Sequence, residues 1–270
     1  MAEQQQTGDT MVDLRDVVFC YDRQIVLDRC SMRARRGSVV ALMGPSGVGK
    51  STVLRLITGQ HQPESGSVEA AGQRVSEMSR KQLRHYRRRL GVLLQNGALF
   101  TDLTCFENVA VPIREHTKLP EPVLRRLVLA KLHTVGLRGA AGMKPRELSG
   151  GMARRVALAR ALALDPSIVL YDEPFTGLDP IAVGTIRRMI RHVNSALGLT
   201  SIIVTHNVEE AAQIADYAYI MVSGRIAAEG SPEDLKGDSS PAVRQFLNGE
   251  ADGPVPFHYP AADLSADLLA

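Results

Sequence analysis

The sequence predicts an α/β protein, and two observations support that prediction. Short apolar runs typical of buried strands alternate along the chain with segments of helical periodicity. A glycine-rich segment, residues 44–52, lies directly between one such strand and a helix. A chain of 270 residues with 44% hydrophobic residues can bury a substantial core, as one large α/β domain or two small ones.

The composition narrows the possible function classes. A net charge of +3 is too small by itself to imply a nucleic-acid partner, and 4% aromatic residues with no Trp disfavour a base-stacking surface. The three cysteines have no metal-ligand spacing, which is typical of reduced thiols in a cytosolic protein. Residues 1–10 are polar and lack the apolar core of a signal peptide, and no apolar run approaches the roughly 18 residues of a membrane span. We therefore expect any work at a membrane to need a separate spanning subunit.

At the N-terminal side, residues 12–19 and 25–32 alternate apolar and polar positions, which predicts two half-buried strands. Tyr21 lies between them, ahead of the glycine-rich segment. An aromatic ring at this place can stack on a nucleotide base, although plain packing is the commoner role of a tyrosine at a strand end.

The glycine-rich segment fits the pattern G-x-x-x-x-G-K-[ST] of a phosphate-binding loop. Apolar residues 39–43 before it predict a buried strand, and residues 52–57 after it predict a helix, which is the context that the pattern requires. Glycines let the backbone wrap a phosphate, and the helix adds free N–H groups, whereas the alternative is a turn that binds nothing. The assigned nucleotide-binding residues are Gly44, Pro45, Ser46, Gly47, Val48, Gly49, Lys50, Ser51 and Thr52. Within this set, Lys50 is assigned to the β- and γ-phosphates and Ser51 to Mg²⁺.

The middle of the chain is less regular. Residues 80–89 are densely basic, which suits a nucleic-acid or anionic-lipid patch, or simply a solvated helix face. Residues 90–94 predict a buried strand ending at Gln95. Residues 96–111 show no clear period, and their apolar side chains belong either to the core or to a surface that receives another protein. Residues 120–137 predict an amphipathic helix.

A second small-residue turn, Ser149-Gly150-Gly151 after Leu148, leads into a predicted helix over residues 153–164. Such a turn is a candidate anion site at a helix N-terminus. The alternative is an ordinary helix cap by Ser149.

Two carboxylates, Asp172 and Glu173, end the predicted strand of residues 168–173. Side chains alternate along a strand, so the two groups point in different directions and can take different roles. We assign Asp172 to Mg²⁺ and Glu173 to the attacking water. Taken alone, two acids at a strand end are usually surface charges.

The C-terminal third continues the α/β pattern. After Asp179 in a turn, residues 181–197 predict a helix, and the buried strand 201–204 presents His206 at its carboxyl end, where open α/β sheets place their ligands. Residues 209–217 predict a helix, and two short strands around a Ser-Gly turn, residues 218–229, predict a hairpin. A further helix is predicted over residues 241–247, followed by a proline-rich extended arm over residues 253–260.

In this order, the motifs resemble those of the nucleotide-binding subunits of ABC transporters over about residues 12–235. The resemblance implies a P-loop domain over residues 11–235 with a RecA-like core, an antiparallel β subdomain and a helical subdomain at about residues 98–160. Residues 1–10 would then be a flexible N-terminus and residues 236–270 a C-terminal extension.

The resemblance also assigns roles. Tyr21 matches the base-stacking aromatic, Gln95 the Q-loop residue of catalysis and of the Mg²⁺ site, and His206 the switch histidine on the γ-phosphate. Ser149, Gly150 and Gly151 match the signature that closes over ATP bound to a partner subunit, and Asp179 joins this set. The resemblance further implies ATP and Mg²⁺ as cofactors and a head-to-tail homodimer with a second ATPase chain.

Residues 95–102, 114–117, 151–155 and 252–257 are closer still to the ATPases of bacterial phospholipid transporters that maintain outer-membrane lipid asymmetry. That likeness implies an integral membrane permease, an MCE-domain subunit and a small STAS-domain protein as partners, no nucleic acid, and a peripheral position on the cytoplasmic face of the inner membrane. It also favours the arm as a segment that docks on other subunits, against a disordered tail.

The alternative hypotheses are a soluble ABC ATPase acting on ribosomes or DNA, an ABC ATPase for another substrate, and a P-loop scaffold that does not hydrolyse ATP. The soluble ATPase is disfavoured because the sequence has one P-loop, one signature and no heptad run. The inactive scaffold is disfavoured because Glu173 and His206 are both present. Met152 stands where the family usually has Gln, but the residues that face phosphate are intact, so we expect activity.

Overall fold

The computed structural model describes residues 10–255 and contains ten strands and nine α-helices within that range. The strands are β1 (Thr10–Tyr21), β2 (Gln24–Arg35), β3 (Val39–Met43), β4 (Ser65–Ala70), β5 (Gln73–Arg74), β6 (Leu90–Leu93), β7 (Ile168–Asp172), β8 (Thr200–Thr205), β9 (Tyr217–Val222) and β10 (Arg225–Gly230). The helices are α1 (Lys50–Ile57), α2 (Arg80–Arg87), α3 (Cys105–His116), α4 (Glu121–Thr134), α5 (Gly150–Ala161), α6 (Pro180–Leu197), α7 (Val208–Ala212), α8 (Pro232–Lys236) and α9 (Pro241–Asn248).

A six-stranded sheet in the order β10-β9-β3-β8-β7-β6 forms the centre of the fold. Its strands are parallel from β9 to β6, and only β10 is antiparallel. Strands β3, β7 and β8 are buried along nearly their whole length because helices or the second sheet cover both faces. Their carboxyl ends, at Met43, Asp172 and Thr205, lie side by side at one edge. The predicted α/β fold is confirmed.

A four-stranded antiparallel sheet in the order β2-β1-β4-β5 packs on this centre. The apolar face of β1 and β2 and the buried face of α1 share one core with the inner strands. Tyr219 of β9 joins the two sheets, because its hydroxyl accepts a hydrogen bond from the Arg33 amide (2.9 Å) and donates one to the Arg33 carbonyl (3.1 Å). At the other end of β2, Val26 and Leu27 lie against Gly49 of the phosphate loop.

A helical region formed by α3, α4 and α5 has its own core, continuous with β7 and α6. The segment 96–111, for which the sequence gives no period, contains the start of α3, capped by Thr104. The preceding loop is folded around the buried side chain of Asn108. Its amide donates to the carbonyls of Phe100, Leu103 and Thr104 at 3.0–3.2 Å, and its carbonyl accepts from the Phe100 amide at 2.8 Å. One side chain therefore shapes the loop that follows Gln95.

The basic run over residues 80–89 forms α2, and part of it has structural roles. Tyr86 is buried and donates to the Ile57 carbonyl at 2.7 Å, and Arg87 donates to the carbonyls of Thr58 and Gly59 at 2.9 Å each. These donors satisfy main-chain groups at the C-terminus of α1 and complement its dipole. Several of the remaining basic side chains are exposed, which is compatible with a solvated face and with an anionic patch.

Two sequence-based boundaries are wrong. The predicted helix over residues 209–217 ends at Ala212, because Tyr217 already pairs with Val40 of β3 as the first residue of β9. The strand predicted to include Glu173 ends at Asp172. The extended arm over residues 253–260 lies mostly outside the described residues. Within the described range, no helix combines the length and the apolar character that a membrane crossing requires.

Asn108 gives a prediction about stability. Replacing it with Ala leaves the main-chain groups of the 100–104 loop without their buried partners, at a cost of about 1–3 kcal/mol for each group that water cannot reach. We expect Asn108→Ala to lower the free energy of unfolding by about 3 kcal/mol, measured by urea denaturation. The exposed Asn96 provides the control, because Asn96→Ala removes the same amide from the surface. Equal stability of the two variants would contradict this role.

Candidate functional site

The phosphate loop connects β3 to α1 through a backbone that requires glycine. Gly44, Gly47 and Gly49 have φ angles of 152°, 80° and 108°, in the region that side chains disfavour. A Cβ atom at Gly44 would lie 2.3 Å from the Met221 carbonyl oxygen, and one at Gly49 would lie 2.8 Å from Leu27 Cδ2. The main chain is thus held as a narrow turn at the N-terminus of α1, the geometry that cradles a phosphate.

Lys50 is buried at the start of α1, only 6% exposed. Its ammonium donates to the carbonyls of Gly44 and Pro45, both at 2.8 Å, so the side chain folds back across the turn. Burial lowers the pKa of Lys50, and the nearby carboxylates of Glu173 and Asp172 oppose that shift. A cation held at the mouth of an N–H-lined turn fits a polyphosphate, whose charge would offset the cost of its burial.

Ser51 and Asp172 meet across the loop, with the serine hydroxyl donating to Asp172 Oδ1 at 3.0 Å. Burial raises the pKa of Asp172, and the Ser51 hydrogen bond opposes that rise. A hydroxyl and a carboxylate from two elements form a hard oxygen set, and Gln95 lines the same cleft. This donor chemistry fits Mg²⁺, which takes one or two carboxylates and completes its shell with phosphate and water.

Glu173 stands just beyond the end of β7 with a φ of 48°, which is uncommon for a residue other than glycine. Its Oε2 accepts from the hydroxyls of Thr176 (3.1 Å) and Thr205 (3.2 Å). His206 Nδ1 lies 2.9 Å from Oε1, and an ionised carboxylate requires that nitrogen to be the donor. The sequence-predicted water-activating carboxylate and switch histidine therefore touch, with the carboxylate fixed from three sides.

One cleft unites most of the predicted residues. Its lining is drawn from the phosphate loop, the β1–β2 hairpin and the strand ends, and comprises Tyr21, Gln24, Val26, Ser46, Gly47, Gly49, Lys50, Ser51, Thr52, Gln95, Glu173 and His206. Asp172 joins this set through its contact with Ser51. Gly44, Pro45 and Val48 belong to the loop but are not among the described residues that line the cleft.

The signature residues lie elsewhere in the same chain. Ser149 caps α5 by accepting from the Met152 amide, and Gly150 and Gly151 pack beside the turn that starts α6. Asp179 caps α6, accepting from the amides of Ile181 and Ala182 at 3.0 Å each. Among residues 10–255, none of these four lines the cleft. Ser149, Gly150 and Asp179 are instead exposed on the surface.

Arg154 is a residue of this region that the sequence did not single out. Its guanidinium is buried in α5 and donates to three main-chain carbonyls, those of Leu94 (3.0 Å), Gln95 and Thr176 (3.1 Å). Burial lowers the pKa of Arg154, and no carboxylate pairs with it in the described part of the chain. Arg160, later in the helix, donates to the carbonyls of Gly97 and Ala98 at 2.7 Å. The signature helix thus holds the Gln95 loop directly.

Comparison with known proteins places these features in a family. The sequence model described as "ABC transporter" matches residues 27–176. The chain is 51% identical over 265 residues to the "Intermembrane phospholipid transport system ATP-binding protein MlaF" of Escherichia coli K12, with 98% of each chain covered. The Haemophilus influenzae protein of the same name is 51% identical over 262 residues, with 97% of this chain and 99% of that one covered.

Solved structures agree with the fold. A dimeric ATP-binding cassette, MJ0796, in a post-hydrolysis state bound to ADP and Pi, aligns with a TM-score of 0.75 and 30% identity, covering 82% of this chain and 99% of that one.

The Arg154 contacts predict a defect in turnover. Arg154→Met removes the hydrogen bonds that hold the Gln95 loop, so Gln95 loses its fixed position at the cleft. We expect a drop of about tenfold or more in the rate of ATP hydrolysis, with Mg·ATP affinity changed much less. The measurements are steady-state hydrolysis and calorimetric binding.

The matched control is Arg155→Met, which removes the next arginine on α5, whose Nη1 donates to the Val135 carbonyl at 3.3 Å. Both variants lose a guanidinium from α5, but only the guanidinium of Arg154 contacts the Gln95 loop in the unmodified chain. Equal turnover in the two variants would contradict the assigned role of Arg154.

Proposed function

The chain belongs to the ABC transporter family, and we propose that it is the ATP-hydrolysing subunit of a transporter that moves phospholipids between the inner and outer membranes of a bacterium. Its role would be to maintain the lipid asymmetry of the outer membrane. The observation that carries the enzymatic part is the fixed carboxylate of Glu173 beside the phosphate loop and His206. The identity of 51% to MlaF over almost the whole chain supports the phospholipid substrate.

The proposed reaction divides its tasks among the cleft residues. The N–H groups of the phosphate loop and the Lys50 ammonium bind the phosphates, and Tyr21 stacks on the base. Ser51, Asp172 and Gln95 would hold Mg²⁺, which when bound would neutralise charge on the phosphate oxygens. Glu173 accepts the proton of the attacking water, and His206 orients that carboxylate and the terminal phosphate. The hydroxyls of Thr176 and Thr205 keep Glu173 directed into the cleft.

The complete site is proposed to span two chains. Ser149, Gly150 and Gly151 carry a small-residue turn and the free N–H groups of α5 on the outer surface, where they would close over ATP bound to a second copy. Asp179 lies close by at the start of α6 and would approach the same interface. A head-to-tail homodimer of this kind has two equivalent composite sites, and the dimeric state of the MJ0796 cassette supports it.

The proposed partners follow from the MlaF likeness: an integral membrane permease (MlaE-like), an MCE-domain subunit (MlaD-like) and a small STAS-domain protein (MlaB-like). The chain would lie peripherally on the cytoplasmic face of the inner membrane, with no nucleic-acid partner. Leu94 and Phe100 expose 45% and 51% of their surface beside the Gln95 loop, which suits contact with a permease. The extension over residues 236–270 is proposed to contribute to assembly.

A soluble ABC ATPase acting on ribosomes or DNA is the weaker candidate. Its support was the basic run over residues 80–89, and Arg87 in that run is engaged in holding the end of α1. The likeness to MlaF covers 98% of the chain, and the name of that relative describes a transport system.

The carboxylate role is tested with Glu173→Gln, which keeps the shape of the side chain but cannot accept the proton of the water. We expect Mg·ATP binding to persist and turnover to fall by ~10²–10⁴-fold, the usual contribution of a general base. Lys50→Ala should differ in kind, because it weakens nucleotide binding as well. Glu209→Gln is the control, since Glu209 is exposed on α7. Hydrolysis by Glu173→Gln at the rate of the control would refute the assignment.

The composite site predicts which residues can be crosslinked. Cysteines at Ser46 and Gly150, in a Cys20→Ser background that leaves only the buried Cys30 and Cys105, should form a disulfide between two chains in Mg·ATP. A side chain at Gly150 meets only an ordinary contact with Leu178 Cδ2 at 3.7 Å, so the change should be tolerated. The two single-cysteine variants are the controls. A disulfide within one chain as the main product would contradict the head-to-tail arrangement.

A further inference from the structure

At the rim of the cleft, the Tyr21 ring is held by neighbours before any nucleotide binds. Tyr21 ends β1 and is 39% exposed, yet its ring packs edge-on against two others. The ring centroid of Phe19 lies 4.9 Å away and that of His61 lies 5.5 Å away, both at an interplanar angle of 88°. T-shaped contacts of this kind are favourable and restrict the orientation of the ring.

The Tyr21 hydroxyl has two polar partners. Arg55 Nη1 donates to it at 2.8 Å, and His61 Nε2 lies 3.1 Å from it. A guanidinium can only donate, so the hydroxyl accepts from Arg55. When His61 carries its proton on Nδ1, the hydroxyl donates its own proton to Nε2. In this chain of hydrogen bonds the Tyr21 hydroxyl is an acceptor towards Arg55 and a donor towards His61.

Both partners belong to the element that starts at the phosphate loop. Arg55 lies in α1, and His61 lies in the turn that follows this helix. The main chain of that turn is tied to α1, because the amides of Gln60 (2.8 Å) and His61 (3.3 Å) both donate to the Arg55 carbonyl. The phosphate loop and the ring at the rim are therefore connected through one short, hydrogen-bonded segment.

We propose that Arg55 and His61 are positioning residues for nucleobase recognition, holding Tyr21 as a preformed stacking platform for the adenine ring. This rests on the proposed function, in which Tyr21 stacks on the base of ATP. An exposed side chain ordered only on binding lowers affinity by the entropy that it loses, whereas a side chain fixed beforehand does not. The pair acts on the base and not on the phosphates, which the loop and Lys50 bind.

The test separates base recognition from phosphate recognition on the full-length chain. The ligands are Mg·ATP and Mg·tripolyphosphate, which has the phosphates without a base, and the readout is the dissociation constant by calorimetry. His61→Leu should weaken ATP binding by about three- to tenfold and leave tripolyphosphate binding unchanged. His61→Gln should recover part of the loss, because its amide oxygen can accept the phenol proton. The exposed His85 of α2 provides the control variant His85→Leu.

A double-mutant cycle shows whether His61 acts through the hydroxyl. Tyr21→Phe keeps the ring and removes the bond, so adding His61→Leu to it should change ATP affinity less than twofold. The full loss in the Tyr21→Phe background would overturn the proposal. Equal weakening of ATP and tripolyphosphate by His61→Leu, or no weakening of either, would overturn it as well.

Failure of the proposed nucleotide-binding function would give a different pattern of affinities for ATP and tripolyphosphate. If Tyr21→Ala binds ATP and tripolyphosphate with the wild-type ratio of affinities, Tyr21 does not stack on the base and the positioning role falls with it. If the unmodified chain binds neither ligand, the nucleotide-binding function itself is wrong.

Discussion

The close approach of the Gly44 backbone to the Met221 carbonyl of β9 is the constraint on which the rest of the cleft depends. Because no Cβ fits there, the chain leaves β3 in a turn open only to glycine, and α1 begins directly behind it. That start puts Lys50 under the turn and Ser51 opposite Asp172. The other strand ends come to the same edge because the sheet is parallel. A binding site for a charged ligand thus follows from one main-chain contact.

Some of the predicted site residues line the chain's own cleft, and others lie on its outer surface, where a second copy would contact them. Its own cleft contains the phosphate loop, the Ser51–Asp172 contact and the fixed carboxylate of Glu173. The signature turn lies outside, but it is not isolated, because Arg154 and Arg160 of the same helix grip the carbonyls of the Gln95 loop. A displacement of α5 on dimerisation would therefore also displace the Gln95 loop. This arrangement suits an enzyme whose hydrolysis depends on its assembled state.

Local signals in the sequence predicted the fold and most of the cleft. The phosphate loop, the apolar strands and the acids at the end of β7 can each be recognised within a few residues of sequence. Ser51 and Asp172, which the sequence assigned to one site, are in contact. Contacts between distant positions were not predictable in this way. Tyr21 and His61 are 40 residues apart, and Arg154 reaches back 60 residues to Leu94. The helix predicted through Tyr217 was wrong because pairing with β3 outweighs local periodicity there.

If the complete hydrolytic site forms only between two copies of this chain, nucleotide should control the mass of the particle, which sedimentation velocity measures. The Glu173→Gln chain, which should trap unhydrolysed nucleotide, is measured with Mg·ATP and with Mg·ADP at the same protein concentration. We expect a species of twice the chain mass with Mg·ATP, holding two nucleotides per dimer, and mainly single chains with Mg·ADP. A chain that binds Mg·ATP and remains a single chain while the unmodified protein hydrolyses ATP at full rate would contradict it.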